Sequence, residues 1–134
     1  MSKNRDFSQH PQGIRVEGSN TGILIDSYGI QANNLGEVTG ARTIDMRGGN
    51  YILANANGNI TWTFSIPPNN ANAYGFILQL RYGGDRTITW PSPNTKWPSG
   101  TAPTLTVGGN DVISFVTVDG GLTWRGVASM LDSR

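Results

Sequence analysis

Apolar and polar residues alternate with a period of two through most of the chain beyond residue 42, and no stretch shows a helical period. Ile60-Thr61-Trp62-Thr63-Phe64-Ser65-Ile66 is the cleanest run. It places Ile60, Trp62, Phe64 and Ile66 on one face of a strand. Pro67-Pro68 ends it, because proline cannot donate to a central ladder. Phe76-Ile77-Leu78-Gln79-Leu80-Arg81-Tyr82 predicts the next strand, and Thr87-Ile88-Thr89-Trp90 a short one. Val112-Ile113-Ser114-Phe115-Val116-Thr117-Val118 is the longest β-branched run and predicts a buried central strand.

Turn residues separate these runs. Gly48-Gly49-Asn50, Asn57-Gly58-Asn59, Gly83-Gly84-Asp85 and Asp119-Gly120-Gly121 each predict a reversal, and Asn57-Gly58 carries the composition of a two-residue hairpin. Short strands at near-regular intervals, with turns between them, predict an all-β fold, a jelly-roll-like antiparallel β-sandwich. No internal repeat is evident, which speaks against a solenoid or propeller.

Before residue 42 the pattern thins. Residues 1–12 are polar and aperiodic and read as an arm that a partner would order. Short apolar patches follow at Ile14 and Val16, at Ile23-Leu24-Ile25, and at Tyr28 and Ile30, each too short to form an independent sheet. The expected organisation is an N-terminal arm with short strands over residues 1–40, serving contact with another subunit or a larger assembly, and a sandwich over residues 41–134.

Composition narrows the function classes. The formal net charge is +1 and charged residues make up 14% of the 134 positions, below the usual quarter. The basic residues are scattered, so no basic face for nucleic acid is expected. No run is long and apolar enough to span a bilayer, and the first residues lack the apolar core of a signal peptide. With no cysteine and one histidine, His10, neither a thiolate site nor a zinc centre is expected, and no cofactor is implied.

The carboxylates Asp45, Asp85, Asp111 and Asp119 lie at or beside turns, where aspartate bonds nearby backbone, so turn roles are expected and catalysis is not. Trp62 and Trp124 fall in alternating runs and are assigned to the core. Trp97, beside Lys96 in a loop rich in proline, is open to two readings. It is either a ring for stacking on a sugar or an anchor that holds the loop to the fold.

Thr117-Val118-Asp119-Gly120-Gly121-Leu122-Thr123-Trp124 is similar to the Asp-box hairpin of sialidases, a structural motif in which Asp and Thr stitch a turn over an aromatic residue. More broadly, residues 43–127 resemble a β-sandwich domain of tailed-bacteriophage virion proteins. The phrases that carry the resemblance are Thr43-Ile44-Asp45, Phe76-Ile77-Leu78, Thr89-Trp90-Pro91, Lys96-Trp97-Pro98-Ser99-Gly100-Thr101-Ala102-Pro103-Thr104-Leu105 and Asp119-Gly120-Gly121-Leu122-Thr123-Trp124. The resemblance implies a homotrimer located in the virion and assembled in the bacterial cytoplasm.

Without a long shaft before the domain, the expected role is a capsid decoration (cement) protein that docks on the major capsid protein or another virion protein. Ile23, Leu24 and Ile25 are its candidate contact residues. The alternative is a tail-fibre or receptor-binding component, with Lys96 and Trp97 contacting a host glycan. A carbohydrate-active enzyme is the third, least favoured reading.

Overall fold

The computed structural model describes residues 29–65 and 73–134. Seven strands form one mixed sheet: β1 (Ala32–Asp45), β2 (Tyr51–Ser65), β3 (Tyr74–Arg81), β4 (Ile88–Thr89), β5 (Thr95–Lys96), β6 (Asn110–Thr117) and β7 (Trp124–Met130). The all-β class expected from the alternation holds. The expected antiparallel pairing does not. β1 with β2, β2 with β3, β2 with β4, and β5 with β7 run parallel; only β3 with β6 and β6 with β7 run antiparallel.

The parallel pairs follow from two long strands that fold back on themselves. β1 and β2 pair from Ala32↔Tyr51 to Asp45↔Ser65. A straight strand of 14 residues would be about 45 Å long. The five residues between Asp45 and Tyr51 can bridge only about 20 Å. The two ends of β1 must therefore lie close together. Gly36 (φ 68°) and Gly40 (φ 76°) supply the bend, since both occupy backbone that side chains with a Cβ resist. Each of these strands thus has two arms, and β1 together with the turn after it makes one rung.

Asp45 closes the first rung. Its Oδ1 accepts the Arg47 backbone N–H at 3.0 Å and caps a one-turn 3₁₀ helix at Met46–Gly48. The backbone N–H groups of Asn50 and Tyr51 then donate to the Gln31 carbonyl at 3.1 and 3.4 Å, which sets β2 beside β1. The Asn57-Gly58 step is consequently a bend inside β2. It is not the two-residue hairpin that its composition suggests, because the residues on both sides of it pair in parallel with β1.

The first arm of β2 continues the sheet into β3, β6, β7 and β5, while its second arm pairs with β4. The second arm lies across the others. Phe64, near its end, places its ring 4.9 Å from those of Phe76 and Phe115 and 5.4 Å from that of Trp124. The period of two decides what is inside. Ile52, Ala54, Ala56, Ile60 and Trp62 of β2, Phe76, Leu78 and Leu80 of β3, and Ile113 and Phe115 of β6 are all buried. The expected central strand is confirmed, since β6 lies between β3 and β7.

Among the described residues the first strand starts at Ala32, within the residues 1–40 to which the sequence assigned an arm and short strands. Leu105 and Val107 alternate with polar neighbours before Gly108-Gly109-Asn110, yet they lie in loop.

Candidate functional site

Three regions carry groups that could act on something outside the fold. The first is the outward face of β6 and β7. Residues that alternate with the buried set point to solvent here, and several are apolar: Val116 is 45% exposed, Val127 47% and Met130 55%. Val112 pairs with Met130, Ser114 with Val127 and Val116 with Arg125, so these side chains adjoin across one ladder. The Ser114 and Ser129 hydroxyls hydrogen-bond to each other between them. The face continues onto β2 and β3, where the Tyr51 hydroxyl donates to Gln79 Oε1 at 2.7 Å. At its upper end an open groove of about 520 Å³ runs between Ile30, Asn50, Ile77, Ser114 and Val116. Its walls are mainly carbon, which suits protein contact better than a polar ligand.

The second region is the loop from Pro91 to the start of β6, which contains Lys96 and Trp97. Lys96 is exposed at the end of β5. Trp97 is half-buried, with ring centroids 5.5 Å from Trp90 and 5.6 Å from Phe115. It lies over Gly126, where an added Cβ would come within 2.6 Å of Trp97 Cζ3 and 2.9 Å of Phe115 Cε1. The packing is that of an anchor: the bare backbone of β7 at Gly126 makes room for the ring.

The third region is a polar recess of about 420 Å³ at the opposite end of the sheet from the groove, lined by Arg81, Gly108, Asn110, Asp132 and Arg134. Its charges are partly spent. Arg134 pairs with Asp132 at 2.6 Å, and Arg81 stacks on the Tyr82 ring at 5.0 Å.

The aspartates act on backbone. Asp111 is fully buried and accepts the Thr106 N–H (2.7 Å), the Thr106 hydroxyl (2.8 Å) and the Asp132 N–H (2.9 Å). It thereby ties the loop before β6 to the chain after β7. Asp85 Oδ2 accepts the Gly108 N–H at 3.0 Å.

Asp119 holds the turn between β6 and β7. Its Oδ1 accepts the Thr123 N–H at 2.9 Å and the Thr117 hydroxyl at 2.8 Å, while Thr117 Oγ1 accepts the Gly121 N–H at 2.9 Å. Trp124 is buried beside this turn, as the Asp-box likeness implies. The Thr123 N–H first, and the Thr117 hydroxyl second, hold the Asp119 carboxyl below its ordinary 3.8. Hydrogen bonds to the charged form have that effect.

Among the described residues no three His, Asp or Glu side chains converge as metal ligands. Ile23, Leu24, Ile25 and His10 lie outside the described residues. Of the candidate contact residues named from sequence, Lys96 and Trp97 lie among the described residues, next to each other in the chain. The outward face of β6 and β7 was missed. Its signal was present in Val116 and Val118, which alternate with buried Phe115 and Thr117, but the whole run reads as core when both faces are apolar. No family model, curated protein or solved structure matches this chain.

Proposed function

We propose that the chain is a non-enzymatic structural component of a tailed-bacteriophage virion, a homotrimeric decoration protein that stabilises the head. The supporting observation is the outward face of β6 and β7, where Val116, Val127 and Met130 are exposed along one ladder. Monomeric surfaces seldom keep such patches free. Trimeric order and phage context come from the resemblance of residues 43–127 to virion domains. In this reading the three sheets bury these faces against one another, and residues 1–12 reach the major capsid protein. Three equivalent attachments let each be weak, because the first engagement raises the effective concentration of the other two.

The test is direct. Gold-labelled antibody on intact virions should cover the head in hundreds of copies. Label confined to the tail would refute decoration. That outcome would favour the alternative, a tail-fibre or receptor-binding component contacting host glycans. One observation supports the alternative: β1 stacks on β2 in parallel, and a stack of this kind can lengthen along its axis.

A further inference from the structure

Arg81 and Asn110 stand opposite each other on the ladder of β3 and β6. Both take outward positions, alternating with buried Leu80 and Asp111. Side chains so placed are close enough to bond, yet these two do not bond. Asn110 Oδ1, the acceptor of the pair, is turned inward, enclosed and without a hydrogen-bond partner among the described residues. A buried amide oxygen normally finds a donor, so this orientation calls for a reason. Its effect is to leave the Nδ2 donors of Asn110 on the side of the polar recess that both residues line.

Arg81 sets a second donor group beside them. Its guanidinium lies 5.0 Å from the centre of the Tyr82 ring and makes no ion pair among the described residues. Stacking occupies the face of a guanidinium and leaves its in-plane N–H groups free. Two adjoining donor groups with no acceptor between them complement a carboxylate. We propose that the recess binds a small hydroxylated carboxylic acid, with Arg81 and Asn110 holding its carboxylate.

The recess is built on fixed backbone. The Tyr82 N–H donates to the Gly109 carbonyl at 2.9 Å, and the Ser133 N–H to the Asn110 carbonyl at 2.7 Å. These bonds lock together the end of β3, the turn before β6 and the chain after β7. Tyr82 (φ 64°) and Asp132 (φ 55°) both hold left-handed backbone there. Such conformations persist only where the surrounding structure enforces them, and they gather at ligand sites.

Charge and size narrow the ligand. Asp132 lines the recess, Asp111 follows Asn110 in the chain, and Asp85 holds the Gly108 N–H of the recess wall. Arg134 pairs with Asp132, and three donors satisfy Asp111. The remaining negative field opposes a dianion more than a monoanion, which favours a carboxylate over a phosphate. The volume of about 420 Å³ is far more than a bare carboxylate fills and falls in the range of small-molecule sites. Gly108, Asp132 and Ser133 make the rest of the wall polar, so the body of the ligand carries hydroxyls. This inference does not rest on the virion reading, and its test uses the purified full chain.

Sodium glucuronate has the carboxylate and the hydroxyls together. Titrated into the isotope-labelled protein, it should shift the amide signals of Gly108, Gly109 and Ser133. Acetate, glucose and phosphate should each bind roughly tenfold more weakly, or less. Arg81 is exposed, so Arg81→Gln should keep the melting temperature and weaken glucuronate roughly tenfold. Asn110→Asp, which sets a carboxylate where the amide donates, should weaken it as much. No shifts at about 10 mM glucuronate, unchanged binding in Arg81→Gln, or glucose bound as well as glucuronate would each overturn the proposal. Phosphate bound more tightly than glucuronate would overturn the choice of a carboxylate. Tighter binding of a glucuronate-ended oligosaccharide than of the free acid would support the site and make a glycan its source; equal binding would support it and make the source a free acid.

Discussion

Trp62 is 1% exposed, and its indole N–H has no hydrogen-bond partner among the described residues. The two facts pull in opposite directions. The ring contributes a large apolar volume to the core, while a buried donor without an acceptor costs about 1–3 kcal/mol. Trp62→Ala removes the ring and leaves a cavity, so it should destabilise by about 3–5 kcal/mol. Trp62→Phe keeps most of the apolar volume and removes the orphan donor. It should cost about 1 kcal/mol or less, read as the urea midpoint at unchanged m-value. A Phe variant as unstable as the Ala variant would show that the indole N–H has a partner.

Asp119 gives the pH counterpart. Its carboxyl titrates below the 3.8 of an unfolded chain, because the Thr123 N–H and the Thr117 hydroxyl bond its charged form. The native state therefore binds its proton less readily than the unfolded state does. The carboxylate's contribution is complete above about 3.8 and is lost as the pH falls through the lower native value. Asp119→Asn should lower the melting temperature at pH 7. The gap between variant and parent should narrow steadily below pH 3.8. A gap that stays constant down to pH 2 would mean that the turn depends on side-chain shape and not on charge. Thr117→Val removes the hydroxyl that serves both Asp119 and Gly121, and because Thr117 is fully buried it should cost about 1–3 kcal/mol at pH 7.

At the scale of elements, the central strand, the core tryptophans and the stitched turn were legible in the sequence because each depends on neighbours a few positions away. Val112 to Val118 alternates, Trp124 follows its Asp and Thr within the turn, and the period of two reports burial directly. Parallel pairing was not legible. Gly36, Gly40 and Gly58 look like ordinary loop glycines until the chain is known to run on through them as strand. The partner of each bend lies one rung away, beyond the reach of a local pattern. Trp97 was ambiguous for a related reason. Its role depends on Gly126, 29 positions on in sequence, whose missing side chain accommodates the ring.

That pairing can be tested at the glycine. Gly126→Ala would drive a Cβ into Trp97 Cζ3 and Phe115 Cε1, and overpacking of this order costs about 1–3 kcal/mol. Trp97→Leu should relieve the clash, so the double variant should be more stable than Gly126→Ala alone. Strict additivity of the two changes would show that they do not touch.

For the whole molecule, the decisive quantity is how much of the outward face of β6 and β7 is used in solution. Val116 and Val127 are about half-exposed and lie on adjoining strands, so charge placed there should be tolerated by the fold and rejected by an interface. In the trimer reading, Val116→Lys with Val127→Lys should turn a particle near three times the 14.4 kDa chain mass into one near that mass, as read by sedimentation equilibrium. The melting temperature of the dissociated chain should then become independent of concentration, whereas that of the parent rises with concentration by mass action. The Lys pair does not disturb the core, since both side chains alternate with the buried set that includes Phe115 and Gly126. A parent chain that already sediments at 14.4 kDa would remove the self-association on which the decoration role depends. A trimer untouched by the Lys pair would move the interface off this face and off the groove that Val116 also lines.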